Sequence, residues 1–326
     1  MLLFDHVISI SISGMAGMDD IARIERRLKL HDVRVLISVV EAGSMHKAAK
    51  RLRTSQPAIS RAIADLEHSV GVRLLERSPR GIQPTQYGRV LVKRGVAAFD
   101  EFRQGVKDIK FLTDPSAGEL RIACSDAMAA GPVLAVIEQL TRQHPRLVFH
   151  VVTGVTAALY RELPERNVEL VITRATEAVA KEQINVGSLF EDNVVVAAGA
   201  QSQWAHRRRI KLDELVNEPW TLPPYDSAMG AIVVEAFRAC GLTPPAAAVV
   251  AESANMRSRL LATGRFLTVL PEFALTVPAR DFSLKALPVE LPGAQRTMRI
   301  ISLRNRLLSP LAELFIDSMR ALASHW

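Results

Sequence analysis

The sequence predicts an α/β protein in which a small, all-α winged helix-turn-helix domain precedes a larger two-lobed α/β domain. Three observations predict this arrangement: the length of the chain, the distribution of charge, and a change of pattern near residue 114. The 326 residues exceed what one hydrophobic core usually accommodates. With 48% hydrophobic and 23% charged residues, the composition is that of a globular chain, which argues against a disordered or fibrous one.

Positive charge is concentrated in the first third of the chain. Residues 21–113 hold nineteen lysines and arginines against nine aspartates and glutamates, a net charge of +10, whereas residues 114–326 are neutral. A basic segment joined to a neutral one predicts a polyanion-binding module attached to a domain of another kind. A solvated basic face without a partner would carry the same charge.

Residues 1–20 do not have the pattern of a targeting signal. The stretch Leu2–Ile12 is apolar, but Asp5 and His6 interrupt it and no positive segment precedes it. We expect residues 1–20 to be a disordered leader, with Met18 as an alternative start of the chain. No apolar run is long enough to cross a bilayer, which favours a cytoplasmic protein.

No cofactor, metal or catalytic site is predicted. Cys124 and Cys240 cannot form a disulfide framework and have no metal-ligand spacing with the eight scattered histidines. The sequence contains none of the GxxxxGK, GxGxxG, HExxH and GxSxG motifs. We therefore expect a protein that is not an enzyme.

Three short helices are predicted at the start of the basic segment. Residues 31–41 carry apolar side chains at helical spacing, and Gly43 ends that helix. A second helix follows over Met45–Leu52, with Ser44 positioned to cap it. Ser55 caps a third helix. A short helix, a tight turn and a longer helix are typical of a helix-turn-helix.

The third helix carries side chains suited to the major groove. Ile59, Ile63 and Leu66 are expected to point inward, so that the polar residues face outward. Glutamine can pair with adenine and arginine with guanine. A polar face that simply meets water is the alternative. The predicted DNA contacts are Arg34, Ser44, Ser55, Gln56, Pro57, Ala58, Ser60, Arg61, Arg77 and Arg80.

A wing is predicted directly after these helices. The segment Glu76–Gly81 has the composition of a turn between two short strands. Arg77 and Arg80 at its tip would suit phosphates or the minor groove.

One long helix is predicted from Thr85 to about Leu112. Its apolar residues recur every seven positions in two tracks, which predicts a seam for the same helix of a second subunit. A buried intramolecular helix is the competing interpretation, but the remaining faces are rich in charge. Asp114–Gly118 breaks the helix and marks a domain boundary. The predicted seam consists of Val92, Phe99, Phe102, Val106 and Ile109.

Strands and helices alternate after Gly118, which predicts parallel sheets covered on both faces. Two alternating blocks predict two lobes, with the last helix, Pro310–Ala323, returning to the first. The other predicted helices are Pro132–Gln143, Val155–Leu163, Ser227–Cys240 and Ser253–Thr263. The predicted strands are Leu120–Cys124, Leu147–Val152, Val168–Thr173, Asn193–Ala198, Ala248–Ala251 and Phe266–Leu270.

Ligand contacts are predicted where strands meet helix N-termini, because free N–H groups and the positive end of the helix dipole lie there. Serine and aspartate are also ordinary N-caps, so each such residue is equally interpretable as a cap. Cys124 could be a redox sensor, but it has no basic neighbour, which favours an inert thiol. The predicted effector contacts are Ser125, Asp126, Thr153, Thr156, Ser227, Ser253 and Asn255.

Residues 30–94 resemble the N-terminal domain of LysR-type transcriptional regulators. Departures are small: Leu36 stands where an aromatic residue is usual, Met45-His46 replace commoner residues, and Gln83-Pro84 is a less common end to the wing. The matching segments are Gly43-Ser44, Ala48-Ala49, Leu52, Ser55–Ser60, Ile63, Leu66-Glu67, Gly71-Val72, Leu74–Arg77, Arg80-Gly81, Thr85 and Gly88.

A weaker resemblance, one of organisation, continues to about residue 323. It implies an effector domain similar to periplasmic binding proteins and a small, often anionic effector that touches Ser125. It also implies double-stranded operator DNA as a partner, contact with RNA polymerase, and a homotetramer built as a dimer of dimers.

Four segments are therefore expected along the chain. They are a leader (1–20), a winged helix-turn-helix domain (21–84), a linker and dimerisation helix (85–114) and an effector-binding domain (115–326). In the last of these, lobe I comprises about 115–190 and 296–326, and lobe II about 191–295.

The predicted function is sequence-specific transcriptional regulation, as activator or repressor, in response to a small metabolite. One alternative is a constitutive architectural DNA-binding protein whose α/β domain serves only for oligomerisation. Another is a solute-binding or enzymatic α/β domain with an incidental basic extension, against which the missing signal peptide and catalytic motifs count.

Overall fold

The structure is a computed structural model that describes residue 24 and residues 26–78, 81–174, 183–276 and 283–323, without the side chains of Arg77 and Ser78. The predicted leader, residues 1–20, lies outside the described residues. The chain forms two compact units, residues 1–103 and 104–326.

The first unit contains the predicted helices, the two wing strands and the start of the long helix. Glycine shapes the helix ends: Gly43 has φ 64° and donates its N–H to the carbonyl of Val40, and Gly71 closes the third helix with φ 75°. The elements are α1 Leu30–Ala42, α2 Met45–Arg51, α3 Gln56–Val70, β1 Leu75–Ser78, β2 Gly81–Pro84 and α4 Gln86–Thr113.

The core of this unit lies between α1, α2 and α3. Ala48 and Ala49 of α2 are buried, and their small side chains let the helices approach closely. Leu91, Val92 and Phe99 of α4 are partly buried against the same core. The three inward-facing residues predicted for α3, Ile59, Ile63 and Leu66, are all buried, which confirms the orientation of that helix.

The second unit begins within α4 and alternates strands with helices. A π-helical segment, Ala129–Val133, and two 3₁₀ helices, Gln203–His206 and Leu212–Leu215, complete it. The strands are β3 Ala117–Cys124, β4 Arg146–Thr153, β5 Leu170–Arg174, β6 Ile184–Asp192, β7 Val194–Gly199, β8 Trp220–Leu222, β9 Ala247–Val250, β10 Leu267–Pro271, β11 Leu284–Ala286 and β12 Arg296–Leu303. The helices are α5 Asp126–Met128, α6 Leu134–Gln143, α7 Thr156–Glu162, α8 Ala228–Ala239, α9 Ala254–Ala262, α10 Phe273–Thr276 and α11 Pro310–Ala323.

The strands form two five-stranded sheets, one in each lobe. The lobe I sheet has the order β4-β3-β5-β12-β6 and the lobe II sheet the order β11-β7-β10-β8-β9. Both sheets are mixed, so the prediction of parallel sheets is right for only some strands: β3 runs parallel to β4 and β5, and β8 runs parallel to β9 and β10. In lobe I, β12 runs antiparallel to β5 and β6, and in lobe II, β7 runs antiparallel to β10 and β11. The reason is the connection between lobes: β6 leads the chain into lobe II and β12 returns it to lobe I.

The predicted boundaries between segments differ slightly from those of the elements. The two compact units divide at Arg103, inside α4, so the helix predicted as a separate linker contributes residues to both. The predicted lobe boundary at residue 190 falls inside β6, which ends at Asp192. Lobe I resumes at Arg296, where β12 begins.

Each lobe has its own apolar core. In lobe I, Leu311, Phe315 and Met319 of α11 are buried against the sheet, which confirms the predicted return of the last helix. In lobe II, Trp220 is fully buried, packs edge-on against Phe237 and donates its indole N–H to a backbone carbonyl.

The helix predicted over Pro132–Gln143 begins earlier than expected. Helical structure starts at Asp126 and passes through the π-helical segment, where Gly131 departs from helical geometry with φ −120° and ψ −106°. Pro132 has no N–H to donate and its ring crowds the preceding turn, so it bends the helix without starting it.

Candidate nucleic-acid interface and ligand site

Helix α3 presents an exposed polar face. The hydroxyl of Ser55 accepts a hydrogen bond from the N–H of Ala58 (3.4 Å), as an N-cap residue should. The side chains with the chemistry to contact base edges are held on a helix whose opposite face is anchored in the core. The predicted contacts Ser55, Gln56, Pro57, Ala58, Ser60 and Arg61 are all exposed, as is Arg34 on α1.

Ser44 occupies the N-cap position of α2 but not in the predicted manner. Its backbone is extended (φ −158°), yet its hydroxyl accepts no cap hydrogen bond, so the prediction that its side chain caps α2 is wrong. The left-handed turn at Gly43 already places the helix start, and the carbonyl of Ser44 accepts from Ala48 within the helix.

The wing is fastened to the helix-turn-helix by two contacts that were not predicted. One carboxylate oxygen of Glu67, on α3, accepts the N–H groups of Leu74 (2.7 Å) and Leu75 (3.1 Å). The N–H of Ile82 donates to the carbonyl of Gly43 at 3.0 Å. A Cβ on Gly81 would lie 2.7 Å from that same carbonyl oxygen, and Gly81 has φ 105°, so only glycine fits there.

The tip of the wing lies beyond what the structure describes. The side chain of Arg77 and the whole of Arg80 are outside the described residues. Their predicted contacts with phosphates or the minor groove therefore stay predictions.

The predicted seam on α4 divides into two groups. Val92 and Phe99 pack against the core of their own unit, so they do not form an exposed stripe. Phe102, Val106 and Ile109 are 59%, 55% and 65% exposed. The heptad pattern did not separate these groups, because an intramolecular core and an intermolecular seam both demand apolar residues at that spacing.

The last turns of α4 are fixed to lobe I. Phe111, which is outside the predicted seam, is 9% exposed and belongs to the lobe I core. Lys107 donates to Glu119 on β3 (3.0 Å), and Arg121 and His150 contact the same carboxylate at 2.9 Å. The hydrogen bonds from Lys107 and Arg121 lower the pKa of Glu119 to about 2.

Three predicted effector residues are N-caps. The hydroxyls of Ser125, Ser227 and Ser253 accept helix N–H groups at 3.4, 3.1 and 3.3 Å. The structure thus gives each a capping role, whereas contact with a ligand stays a prediction.

Several predicted effector residues meet at the junction between the lobes. Thr153 pairs with Cys124 across parallel strands, which places it beside Ser125 and Asp126. Helix α5, which starts at Asp126, contacts α9 of lobe II. The N-terminus of α9 carries Ser253 and Asn255. The hydroxyl of Thr156 lies 3.3 Å from that of Thr173, which follows Ile172, the partner of Cys124 on β5, so Thr156 is also close to this group. No described contact brings Ser227 to the junction.

Arg257 at this junction was not predicted. It is 4% exposed, and its Nη1 donates to the carbonyls of Ala251 (2.6 Å) and Glu252 (2.9 Å). Burial lowers the pKa of its guanidinium to about 10, and Asp126 of lobe I opposes that shift. An arginine one turn after a helix cap is common on surfaces, so the sequence offered no signal for its burial.

Cys124 is expected to resist alkylation in the folded protein. Burial, and the nearby charge of Asp126, raise the pKa of its thiol to about 12, so almost no thiolate exists near neutral pH. Cys240 is exposed. Mass spectrometry after iodoacetamide treatment at pH 8 should find Cys240 modified and Cys124 modified only after unfolding. Equal labelling of both cysteines in the native protein would contradict the interpretation of Cys124 as an inert thiol and would favour its interpretation as a redox sensor.

The described parts of the chain show neither a metal-binding cluster nor a membrane-spanning helix. No group of three or more His, Cys, Asp or Glu side chains there could hold a metal ion. No helix there combines the length and the apolar character needed to cross a membrane.

Two family models match the chain. The model "Bacterial regulatory helix-turn-helix protein, lysR family" matches residues 30–89, and the model "LysR substrate binding domain" matches residues 113–324. Among curated proteins, the HTH-type transcriptional regulator GbpR of Azospirillum brasilense is 26% identical over 299 residues, covering 91% of this chain and 87% of the relative. The transcriptional dual regulator GltC of Bacillus subtilis is 26% identical over 295 residues, covering 89% of this chain and 96% of the relative.

Solved structures share the fold. An OxyR variant from Pseudomonas aeruginosa matches with a TM-score of 0.62 at 21% identity, covering 90% of this chain and 95% of that one. The LysR family transcriptional regulator CbnR matches with a TM-score of 0.53 at 21% identity, covering 90% and 100%. At such identities the likeness shows the fold alone.

Proposed function

Because the chain belongs to the lysR family of bacterial regulatory helix-turn-helix proteins, we propose that its α3 contacts the bases of an operator while its two-lobed domain senses a small effector. The family makes the protein a LysR-type transcriptional regulator with a DNA-binding domain and a substrate-binding domain. The residues that perform each task are our proposal.

The proposed contacts with DNA bases are based on the exposed face of α3. Gln56, Ser60 and Arg61 are exposed on the same helix, and buried Ile59 and Ile63 hold its other face in the core. A helix of this kind fits the major groove, where amide and guanidinium groups distinguish base pairs.

Gln56→Ala should weaken binding to the cognate operator by about 1–3 kcal/mol, roughly 5- to 150-fold, because a bidentate base contact is lost. Binding to random DNA should change little. Fluorescence anisotropy with both DNAs measures this, and Gln143→Ala, an exposed glutamine at the end of α6, is the matched control. Equal losses on both DNAs would show that Gln56 does not contribute to sequence recognition.

The architectural alternative predicts a different salt dependence. A sequence-specific regulator keeps a large ratio of operator affinity to random-DNA affinity, whereas an architectural protein binds both through phosphates with little preference. Titrations at several salt concentrations separate the two, since a ratio near one at every concentration would favour the architectural protein.

The junction between the lobes is the proposed effector site. Ser125, Asp126 and Thr153 lie together in lobe I, and the helix that starts at Asp126 contacts α9 of lobe II, whose first residues include Asn255 and which Ser253 caps. A ligand there can shift the arrangement of the lobes only if it binds one arrangement more tightly than another. Helix N-termini favour carboxylates and hydroxylated ligands.

Ser125→Ala should abolish the effector response and leave operator affinity nearly unchanged, because the residue belongs to the second unit. The measurement uses the small carboxylate that most raises the unfolding temperature of the parent protein, with operator binding and reporter output recorded with and without it. Ser202→Ala is the control, since Ser202 also caps a helix, at Trp204 (3.4 Å), away from the junction. A variant that still responds fully would remove Ser125 from the site, and one that no longer binds the operator would show a purely structural role.

The proposal also covers the oligomeric state of the protein, its partners and its location in the cell. We expect a dimer joined by the exposed apolar residues of α4, paired into a tetramer through the α/β domains, so that two α3 helices reach two half-sites. Double-stranded DNA, a small effector and RNA polymerase are the expected partners, and the cytoplasm is the expected location.

A further inference from the structure

A polar cavity lies where the chain passes between the lobes. It occupies about 250 Å³ at the end of β5, the end of β6 and the start of β12. None of its lining residues belongs to the proposed effector junction. The lining residues are Arg174, Glu191, Gln295, Arg296, Thr297 and Arg299.

Arginine is the commonest residue in the lining of this cavity. Three of the six lining residues are arginines, and Glu191 is the one carboxylate among them. Glu191 already accepts the hydroxyl of Thr297 (2.6 Å). Two further carboxylates pair with lining arginines: Asp192 with Arg174, and Glu235 with Arg296 at 2.7 Å, which leaves Arg299 as the lining arginine without a carboxylate partner among the described residues.

Two guanidinium groups keep unused donors. The Nε of Arg174 is buried and has no hydrogen-bond partner, although its Nη2 contacts Asp192. Arg299, on β12, is partly buried, and its side chain makes no hydrogen bond or ion pair with any described residue, although its charge opposes the rise that burial causes in the pKa of Tyr160. Buried donors without partners are costly, and a partly buried cation gains from an opposite charge.

We propose that this cavity binds a small anion through carboxylate or phosphate oxygens. The planar guanidinium group donates two parallel hydrogen bonds to either oxyanion, which explains arginines rather than lysines at three lining positions. The volume lies below the range typical of drug-sized ligands, so the ligand is a small metabolite anion or inorganic phosphate.

The position of the cavity gives the anion a means to act on the lobes. Arg296 belongs to the lobe I sheet, and its partner Glu235 belongs to α8 of lobe II. An anion in the cavity competes with Glu235 for Arg296 and so weakens an ion pair that joins the lobes. The lining residues differ from those of the effector junction proposed above, but the cavity lies next to it, because Arg174 comes two residues after Ile172, which pairs with Cys124 beside Ser125.

The test is isothermal titration calorimetry of the full chain in an amine buffer with chloride as the only other anion. One arm uses inorganic phosphate and the other succinate, which separates the two sources of oxyanion. Arg299→Gln should weaken binding of the bound anion by about tenfold or more, since a charged hydrogen bond is lost. Arg299→Lys keeps the positive charge but loses the planar guanidinium group, and its affinity for the anion should lie between those of the parent protein and Arg299→Gln.

Arg208→Gln is the matched control, because Arg208 is exposed on a lobe II loop and the substitution changes the net charge equally. The site would be supported if phosphate or succinate binds and if Arg299→Gln weakens that binding while Arg208→Gln does not. The anion that binds would then identify the ligand class. Binding in neither arm, or equal effects of both substitutions, would overturn it. Operator affinity measured in parallel distinguishes this outcome from failure of the proposed DNA-binding function.

Discussion

Ile109→Asp is expected to lower operator affinity by about 10²- to 10⁴-fold without altering the DNA-contacting helix. The size of the effect follows from the loss of paired binding, since two linked helix-turn-helix units bind two half-sites far more tightly than one. Ile109 is 65% exposed, near the similarly exposed Val106 on α4. An aspartate at that position would have to lose its hydration in any helix–helix seam.

Sedimentation velocity and operator titrations on the same samples measure the effect. Lys110→Asp, on the neighbouring charged face of α4, is the control and should retain the parent assembly. Phe99→Asp should behave differently from both, because Phe99 packs against the core of its own unit and its loss should destabilise that unit. An Ile109→Asp protein with the parent's assembly and operator affinity would show that α4 does not join the subunits.

The heptad pattern on α4 shows how far sequence periodicity reaches. Spacing identified the helix and its apolar tracks correctly, but it could not tell which residues meet an intramolecular core. Val92 and Phe99 face such a core, while Phe102 and Ile109 face outward. That difference depends on where α1 packs against α4, and the periodicity of α4 gives no information about the position of α1.

The helix-turn-helix was more predictable than the ligand site. Its helix ends depend on local rules, such as a left-handed glycine at Gly43 and a serine cap at Ser55, which act over a few residues. Arg257 and Asp192 become buried, and Arg174 largely so, through contacts between distant segments. Nothing in the residues beside them in the sequence marks that burial.

The mixed sheets were missed for a related reason. Strand β6 lies at the sheet edge and has buried residues only at its two ends, so it lacks the regular alternation of apolar and polar residues that marks a strand. Its pairing with β12 spans more than a hundred residues, from Asp192 to Arg296 and from Ile184 to Leu303. Long-range pairing of this kind determines the strand order of the sheet, but the residues next to each strand in the sequence do not indicate it.

Asp192→Ala is expected to destabilise lobe I by about 3–5 kcal/mol, because it would leave the guanidinium of Arg174 buried and unpaired. Asp192 is 5% exposed, and its ion pair with Arg174 joins the ends of β6 and β5. Burial raises the pKa of Asp192 and the guanidinium opposes that shift, so the carboxylate depends on its partner. Hydrogen exchange of the β5, β6 and β12 amides measures local stability without assuming two-state unfolding of a two-unit chain.

Glu138→Ala provides the matched control, since Glu138 pairs with Arg142 at 2.5 Å on the surface and its loss should cost less than about 1 kcal/mol. The double variant Arg174→Met, Asp192→Leu should recover most of the lost stability, because replacing both partners of a buried pair with apolar groups leaves no uncompensated charge. Recovery in the double variant would assign the cost of Asp192→Ala to the stranded arginine. Protection factors that stay at the parent level in Asp192→Ala would show that solvent or a neighbouring group already satisfies Arg174, and the ion pair would then not hold β5 and β6 together.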